Sequence, residues 1–394
     1  MVKIPFFHIK REEKFLILDI GTEALKVIIF TLKKGEGENK IELLGKSIYY
    51  FEDYAVFDSS NFKIDSIGNT ILNAVKEAEK RAGLKVNSAL VSLPASILKA
   101  KVGIGVFSRK NPKKIIVKRE KEQIIAQVTR EFKKEISQKI SEESGILPED
   151  INFPEVNILE IKIDGYSVPA IEGCTGKKLE FRILTTFLPK YYLENISKII
   201  NSFNIRVLKF AHLSKSLFPL YEQNINEGTF LDIGGEVTQL FLVIDGKLKE
   251  VEEFELGGKI FSKTLSDILG LRIDEARFLK EKYSRGKLSE EAREKIKEIF
   301  SQPLITWFKE LKMKLKVQRR LVPSNFFIFG GGSCLPEIKK ILEEGDWNNI
   351  PIIPPTKVKF ISPKELKGIQ DVAGILSTEQ DISSVLISYQ ALSL

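Results

Sequence analysis

The stretch FLILDIGTEALKVIIF at residues 15–30 decides the fold of this chain, because GTFLDIGGEVTQLFLVI at residues 228–244 repeats its plan. In each copy an apolar segment leads into an Asp-Ile-Gly turn, and a second segment rich in β-branched residues follows. This pattern predicts two strands joined by a tight turn on a buried sheet. One Asp-x-Gly turn is common in hairpins. Its recurrence in the same setting about two hundred residues later predicts two duplicated lobes.

The two turns also predict a phosphate site. Glycine at Gly21, Gly234 and Gly235 lets backbone N–H groups approach an anion without a Cβ in the way, and consecutive amides form an anion-binding concavity. The carboxylates of Asp19 and Asp232 would then hold Mg²⁺ or its water ligands. If the turns face each other, they would grip a phosphate tail between the two lobes.

A third motif follows the apolar strand predicted at residues 326–329. Gly330, Gly331, Gly332 and Ser333 come directly after that strand and open a helix. A glycine run near a helix N-terminus suits a purine ring or its ribose pressed against the backbone. The alternative is a loop-helix junction that binds no ligand.

The composition excludes several classes of function. Its cysteines are Cys174 and Cys334 and its histidines are His8 and His212, so the chain offers neither a disulfide framework nor a zinc-ligand pattern. The net charge of +8 accompanies a dense alternation of Lys and Glu along predicted helices, which is typical of solvated faces and disfavours nucleic-acid binding. The start of the chain lacks the apolar core of a signal peptide, so we expect a cytoplasmic protein.

The chain is predicted to be α/β, with duplicated lobes around a nucleotide cleft and a small α+β subdomain inserted in the first lobe. Amphipathic periodicity predicts helices at residues 64–82 and 118–144, the second of which belongs to the insertion. The predicted boundaries are 1–87 and 187–227 for the first lobe, 88–186 for the insertion, 228–375 for the second lobe with a helical subdomain at about 258–322, and 376–394 for a closing helix.

The chain resembles the bacterial actin-like family of FtsA and PilM, with DIGT as the first phosphate loop, DIGG as the second and FGGGS as the adenosine loop. The resemblance covers almost the whole chain and implies actin-like (RNase H-like) lobes, an SHS2-type insertion, and ATP and Mg²⁺ as ligands. It implies that the first phosphate loop is lined by Asp19, Gly21 and Thr22 and the second by Asp232, Gly234, Gly235 and Thr238. It also implies that the nucleoside is held by Gly331, Gly332 and Ser333 and is contacted from the far lobe by Glu275 and Lys280. The metal would be held by Asp19 and Asp232.

The function that the resemblance implies is that of an FtsA-like cell-division adaptor. It would bind ATP between its lobes, self-associate through the insertion and recruit partners such as the acidic tail of FtsZ at the inner face of the cell membrane. Where the family pattern has a further glycine and a threonine, this chain has Glu236 and Val237, so we expect at most slow ATP hydrolysis. Arg277 also replaces a glutamate of the family pattern.

Two other functions remain open from the sequence. A PilM-like protein of type IV pilus assembly would grip a peptide of a membrane partner beside the insertion. A sugar or small-acid kinase would share the phosphate turns, but no catalytic aspartate can be nominated for it. The resemblance to FtsA also predicts that the basic helix at residues 308–320 binds an acidic peptide, through Lys312, Lys316, Arg319 and Arg320.

Overall fold

The structure is a computed structural model that describes residues 12–35, 39–51, 64–318 and 320–394. His8 and Arg319 therefore lie outside the described residues. The strands are β1 (Glu12–Ile20), β2 (Ala24–Lys33), β3 (Lys40–Tyr50), β4 (Ser88–Ser92), β5 (Lys99–Ser108), β6 (Ile151–Ile163), β7 (Tyr166–Val168), β8 (Lys178–Pro189), β9 (Arg206–Phe210), β10 (Gly228–Ile233), β11 (Thr238–Ile244), β12 (Lys247–Phe254), β13 (Asn325–Phe329), β14 (Lys357–Phe360) and β15 (Ile369–Asp371). The helices are α1 (Ile64–Ala82), α2 (Lys118–Ser144), α3 (Lys190–Ser202), α4 (Leu213–Ser216), α5 (Phe218–Asn224), α6 (Lys259–Leu269), α7 (Ile273–Ser284), α8 (Glu290–Lys316), α9 (Pro336–Glu344) and α10 (Ile382–Ile387).

The first lobe is built on a six-stranded sheet of order β15-β3-β2-β1-β4-β9. Strands β1, β2 and β3 form an antiparallel meander, while β4 pairs parallel with β1 and β9 pairs parallel with β4. Alternate side chains of β1 enter opposite faces of the sheet, so that Leu16 and Leu18 share a buried cluster with Ile71 of α1. Helix α1 thereby covers one face of this sheet.

The second lobe repeats this topology in its sheet of order β12-β11-β10-β13-β14. Strands β10, β11 and β12 again form an antiparallel meander, and β13 and β14 follow in parallel beside β10. The duplication read from the two Asp-Ile-Gly segments is thus confirmed at the level of strand order. The predicted α/β fold class is confirmed with it.

The insertion is a four-stranded antiparallel sheet of order β5-β8-β6-β7, with α2 packed on one face. Two glycines of β5 permit close packing of the helix, since a Cβ on Gly103 would lie 2.4 Å from the ring of Phe132. The boundary predicted at residue 88 is wrong in one respect. Strand β4 pairs with β1 in the first lobe, so the separate sheet begins only at Lys99. A short apolar strand looks the same whichever sheet it joins.

The closing segment also differs from its prediction. Instead of the one closing helix predicted within residues 376–394, α10 ends at Ile387 and a 3₁₀-helix continues from Ser388 to Ser393. Ile382, Val385 and Leu386 are buried in a cluster that includes Phe241 and Phe329 of the second lobe. The segment therefore packs at the junction of the two lobes. No helix in the described part of the chain is both long and apolar enough to cross a membrane.

Candidate nucleotide-binding cleft

The two Asp-Ile-Gly turns have the same local geometry. The backbone N–H of Gly21 donates to the Ala24 carbonyl at 2.9 Å, and that of Gly234 donates to the Val237 carbonyl at 3.0 Å. A Cβ added to either glycine would lie 3.0 Å or less from the carbonyl oxygen that accepts this hydrogen bond. Each turn is therefore tight enough to require glycine at its centre.

The turns face each other across the junction of the lobes. A Cβ on Gly235 would lie 2.6 Å from the Thr22 hydroxyl oxygen, so the two loops are in direct contact. They enclose a cavity of about 180 Å³. Its lining includes Asp19, Gly21, Thr22, Glu23, Lys26, Tyr50, Asp232, Gly234, Gly235, Lys280, Gly330 and Gly331. The cavity is therefore smaller than most small-molecule sites, which usually measure about 300–1,000 Å³.

Two carboxylates lie in this cavity and bond to the closing helix. Asp19 accepts a hydrogen bond from the Ser384 hydroxyl, and Asp232 accepts one from the Ser383 hydroxyl at 2.9 Å. Burial raises the pKa of Asp232 to about 7, against the hydrogen bond from Ser383 and the charge of Lys26, while the charge of Asp19 adds to the rise. The two carboxylates are therefore close enough to repel each other.

This donor set fits Mg²⁺ bound together with phosphate. Mg²⁺ is usually held by one or two carboxylates while substrate phosphates and waters complete its shell. Within the described residues, no group of three or more Asp, Glu, His or Cys side chains could hold a metal by itself. Asp19 and Asp232 could thus hold the ion through their carboxylates, and its charge would relieve their mutual repulsion.

The glycine run after β13 approaches the second carboxylate closely. Gly330 has a φ of 88°, and a Cβ there would lie 2.3 Å from Asp232 Oδ1, so only glycine fits. Ser333 is buried, and its hydroxyl donates to the Gly330 carbonyl at 2.7 Å. Gly332 is also buried and packs against Ile233. Gly330 and Gly331 therefore line the cavity, while Gly332 and Ser333 hold the loop from behind.

The other predicted site residues also differ in whether they line the cavity. Thr238 is buried, where its hydroxyl donates to the Leu256 carbonyl at 2.6 Å and accepts from Trp307 Nε1 at 2.9 Å. Lys280 lines the cavity and donates to the Gly258 carbonyl at 3.0 Å. Glu275 is exposed and caps its own helix by accepting from the Arg272 backbone at 2.9 Å. The structure thus brings Lys280 to the cleft but leaves Glu275 outside it.

Sequence reasoning missed three features of the cleft. Lys26 points into it and donates to the Gln380 carbonyl. Its signal was a lysine placed among the apolar residues of β2. Tyr50 also lines the cavity, and the guanidinium of Arg277 lies 4.5 Å from its ring centre. The serines of the closing helix carry no local signal, since Ser384 reaches Asp19 from 365 residues along the chain.

Two charged or titratable groups beside the loops are already compensated. Glu236, whose charge would oppose a phosphate, forms an ion pair with Lys259 at the start of α6. His212 is buried in the cavity wall, where its Nδ1 accepts from the Ser214 backbone at 3.1 Å and its Nε2 lies 2.9 Å from the Gln239 amide. Burial lowers the pKa of His212 to about 3, so the ring is neutral at physiological pH.

Comparisons with known proteins agree with this fold. No family model matches the chain. The cell division protein FtsA of Streptococcus pneumoniae is 23% identical over 379 residues, which cover 90% of this chain and 78% of that protein. FtsA of Enterococcus hirae is 24% identical over 404 residues, which cover 94% of this chain and 85% of that protein.

Solved structures with the same fold extend the comparison. The PilM-PilN type IV pilus biogenesis complex contains a chain that superimposes with a TM-score of 0.66 at 16% identity, covering 96% of this chain and 98% of that one. The ethanolamine utilization protein EutJ from Carboxydothermus hydrogenoformans superimposes with a TM-score of 0.52 at 11% identity, covering 95% and 89% of the two chains. The chain is thus similar to FtsA in sequence, and it shares the predicted actin-like fold with the PilM chain.

Proposed function

We propose that this protein is an FtsA-like adaptor that holds Mg·ATP between its two lobes and recruits protein partners according to the state of the cleft. The observation that carries the proposal is the pair of equivalent Asp-Ile-Gly turns facing one cavity. Each turn offers glycine amides beside a carboxylate, which is the chemistry that a phosphate chain with Mg²⁺ requires. The sequence similarity to FtsA supports the adaptor role.

Residues from both lobes would bind the nucleotide. The backbone of Gly21 and Thr22 in the first loop and of Gly234 and Gly235 in the second would donate to phosphate oxygens. The Lys26 ammonium would add positive charge to a cavity whose other charged residues are mainly Asp and Glu. Asp19 and Asp232 would hold the metal, Gly331 and Lys280 would lie toward the nucleoside, and Gly332, Ser333 and Thr238 would support the loops.

The ligand would act mainly by shifting a conformational equilibrium. Because the cavity of about 180 Å³ is small for a nucleotide, we expect binding to widen it by a movement of one lobe relative to the other. A ligand shifts such an equilibrium by the difference in its affinity for the two forms. Slow hydrolysis is expected, because Glu236, which forms an ion pair with Lys259, stands where the family pattern has an additional glycine.

The partner surfaces proposed for this role are the insertion and the end of α8. Phe308, Leu311 and Leu315 of α8 are buried, while Lys316 and Arg320 are exposed and could attract an acidic tail such as that of FtsZ. Self-association through the insertion and a peripheral location at the inner membrane face complete the proposal. We expect Mg·ATP to change the sedimentation of the protein through self-association, and equal sedimentation with and without Mg·ATP would contradict this role.

A PilM-like role in type IV pilus assembly is the second candidate, because PilM superimposes over nearly the full length of both chains. In that role the insertion would bind a peptide from a PilN-like membrane protein. Binding assays with an acidic FtsZ-type tail peptide and with a PilN-type peptide separate the two candidates. A kinase, in contrast, would turn over ATP faster when a small hydroxylated substrate is added.

A further inference from the structure

The insertion is connected by the chain to the first lobe only, yet it contacts the second lobe. It leaves the first-lobe sheet after β4 and returns to it through α3 and β9. Its edge strand β5 lies beside β12, the edge strand of the second-lobe sheet. Ala100 and Val102 of β5 share a buried apolar cluster with Leu248 and Val251 of β12. The insertion therefore spans both lobes.

Lysines of β5 pair with the acidic end of β12. Lys99 lies 2.7 Å from Glu253, and Lys101 lies 2.6 Å from Glu252 and 3.8 Å from Glu250. These side chains are partly buried, with 20–38% of their surface exposed. Pairs of this kind are screened less than fully exposed ones.

The opposite polarity holds at the basic end of β12. Glu160 of β6 lies 2.7 Å from Lys247 and 3.6 Å from Lys249, and Arg182 of β8 lies 3.4 Å from the same carboxylate. Only 7% of the Glu160 side chain and 8% of the Lys249 side chain are exposed. Although burial opposes the effect, the hydrogen bond from Lys247 and the charge of Lys249 lower the pKa of Glu160 to about 2.

The two clusters together fix the register of the contact. Along β12, the sequence KLKEVEEF is basic first and acidic later, and the insertion presents a carboxylate to the first part and lysines to the second. Sliding the strand along the insertion would place like charges opposite each other, which is unfavourable. Removing one partner of a buried pair leaves an uncompensated charge. Arg182 also donates to the Lys249 carbonyl of β12 at 3.4 Å. We call this contact, formed by Lys99, Lys101, Glu160 and Arg182 with β12, the β12 joint.

We propose that the β12 joint is a strap that restrains separation of the two lobes, so that releasing it opens the cleft. A second anchor holds the insertion to the first lobe, where Glu155 of β6 pairs with Lys209 of β9 and lies 3.3 Å from Lys215. With the insertion anchored to both lobes, a rotation that separates them must break one set of ion pairs. The restraint does not depend on which ligand the cleft takes.

The test measures the distance between the lobes without any ligand. Spin labels are placed at Lys80→Cys on α1 and Lys263→Cys on α6, both exposed positions, after replacement of Cys174 and Cys334 by serine. Lys99→Glu with Lys101→Glu should shift the distance distribution, measured by double electron–electron resonance, toward longer values. Reversing the partners as well, with Glu250→Lys, Glu252→Lys and Glu253→Lys, should restore the original distribution.

A matched control makes the same change in net charge elsewhere on the insertion, with Lys113→Glu and Lys114→Glu, which are exposed. An unchanged distribution in the folded reversal variant, or an equal shift in the control, would overturn the proposal. If the reversal variant fails to fold, Glu252→Gln provides the milder change, because it removes the partner of Lys101 and of Lys314 at 3.8 Å. It should give a smaller shift in the same direction, and no shift would again overturn the proposal.

Discussion

The charge of Asp232 has opposite effects on the stability of the unliganded fold and on metal binding. Its carboxylate lies in a poorly hydrated cavity beside another carboxylate, and its pKa of about 7 shows that the charged form is disfavoured there. The same charge is what a metal with phosphate would require. A functional site that reduces the stability of the unliganded fold is a common trade-off in proteins.

We therefore predict that Asp232→Asn stabilises the unliganded protein while weakening Mg·ATP binding. Because the folded-state pKa is raised to about 7, the cost of the wild-type carboxylate is absent below about pH 4 and grows as the pH rises to about 7. The variant should gain about 1–3 kcal/mol in the free energy of unfolding at pH 8 and much less at pH 4. Urea unfolding at both pH values measures the difference, and an equal change at both would contradict it.

The buried His212 ring should change the pH dependence of stability in the direction opposite to that of Asp232. Its folded-state pKa of about 3 lies below the unfolded value of about 6.5, so its contribution to stability is complete above pH 6.5 and is lost as the pH falls toward 3. Stability should fall by up to about 1.4 kcal/mol per pH unit in this range, and His212→Gln should remove this part of the slope. Urea unfolding between pH 7.5 and pH 4.5 tests it, and identical slopes for both proteins would show that the assignment is wrong.

At the scale of the elements, periodicity predicted α1 and α2 with the bounds that the structure has. Gly83 and Gly145 follow these helices with φ values of 68° and 73°, which suit a helix end that only glycine adopts easily. The closing segment was harder to predict, since it ends in a 3₁₀-helix whose shape depends on contacts with α4. Local signals predict local structure, whereas packing between distant segments decided this element.

Helix α7 lines the cavity from the second lobe and contacts the first lobe there, so we predict that it acts as a gate. Arg277 of α7 contacts the Tyr50 ring of β3, and Lys280 lies 4.0 Å from Glu23. An exposed cation–π contact contributes about 0.5–1 kcal/mol. Arg277→Ala should therefore speed the entry of a fluorescent ATP analogue about twofold to fivefold, as measured by stopped flow. Arg272→Ala is the control, because its ion pair joins the residue before α7 to Asp274 in the first turn of the same helix. An equal effect in both variants would count against the gate.

At the scale of the whole molecule, the duplicated motif predicted the architecture but only part of the site. The two turns, the glycine run and Lys280 do meet at one cavity, because equivalent loops end equivalent central strands. Ser383 and Ser384 were not predicted, since they reach the two carboxylates from a distant part of the chain. Lys26 was missed although it pairs with Asp19 across neighbouring strands. The joint between the insertion and β12 was also not predicted, because charged residues on a strand usually indicate a solvent-exposed face.

The most direct test of the account is isothermal titration calorimetry of Mg·ATP into the purified protein, into Asp19→Asn and into Asp232→Asn. The wild-type protein should bind one ATP per chain in the presence of Mg²⁺ and lose most of this affinity in EDTA. Each variant should bind more weakly by about 1–3 kcal/mol while keeping its circular dichroism spectrum. If the folded wild-type protein does not bind Mg·ATP, or if both variants bind as tightly as wild type, the two turns do not form a nucleotide site.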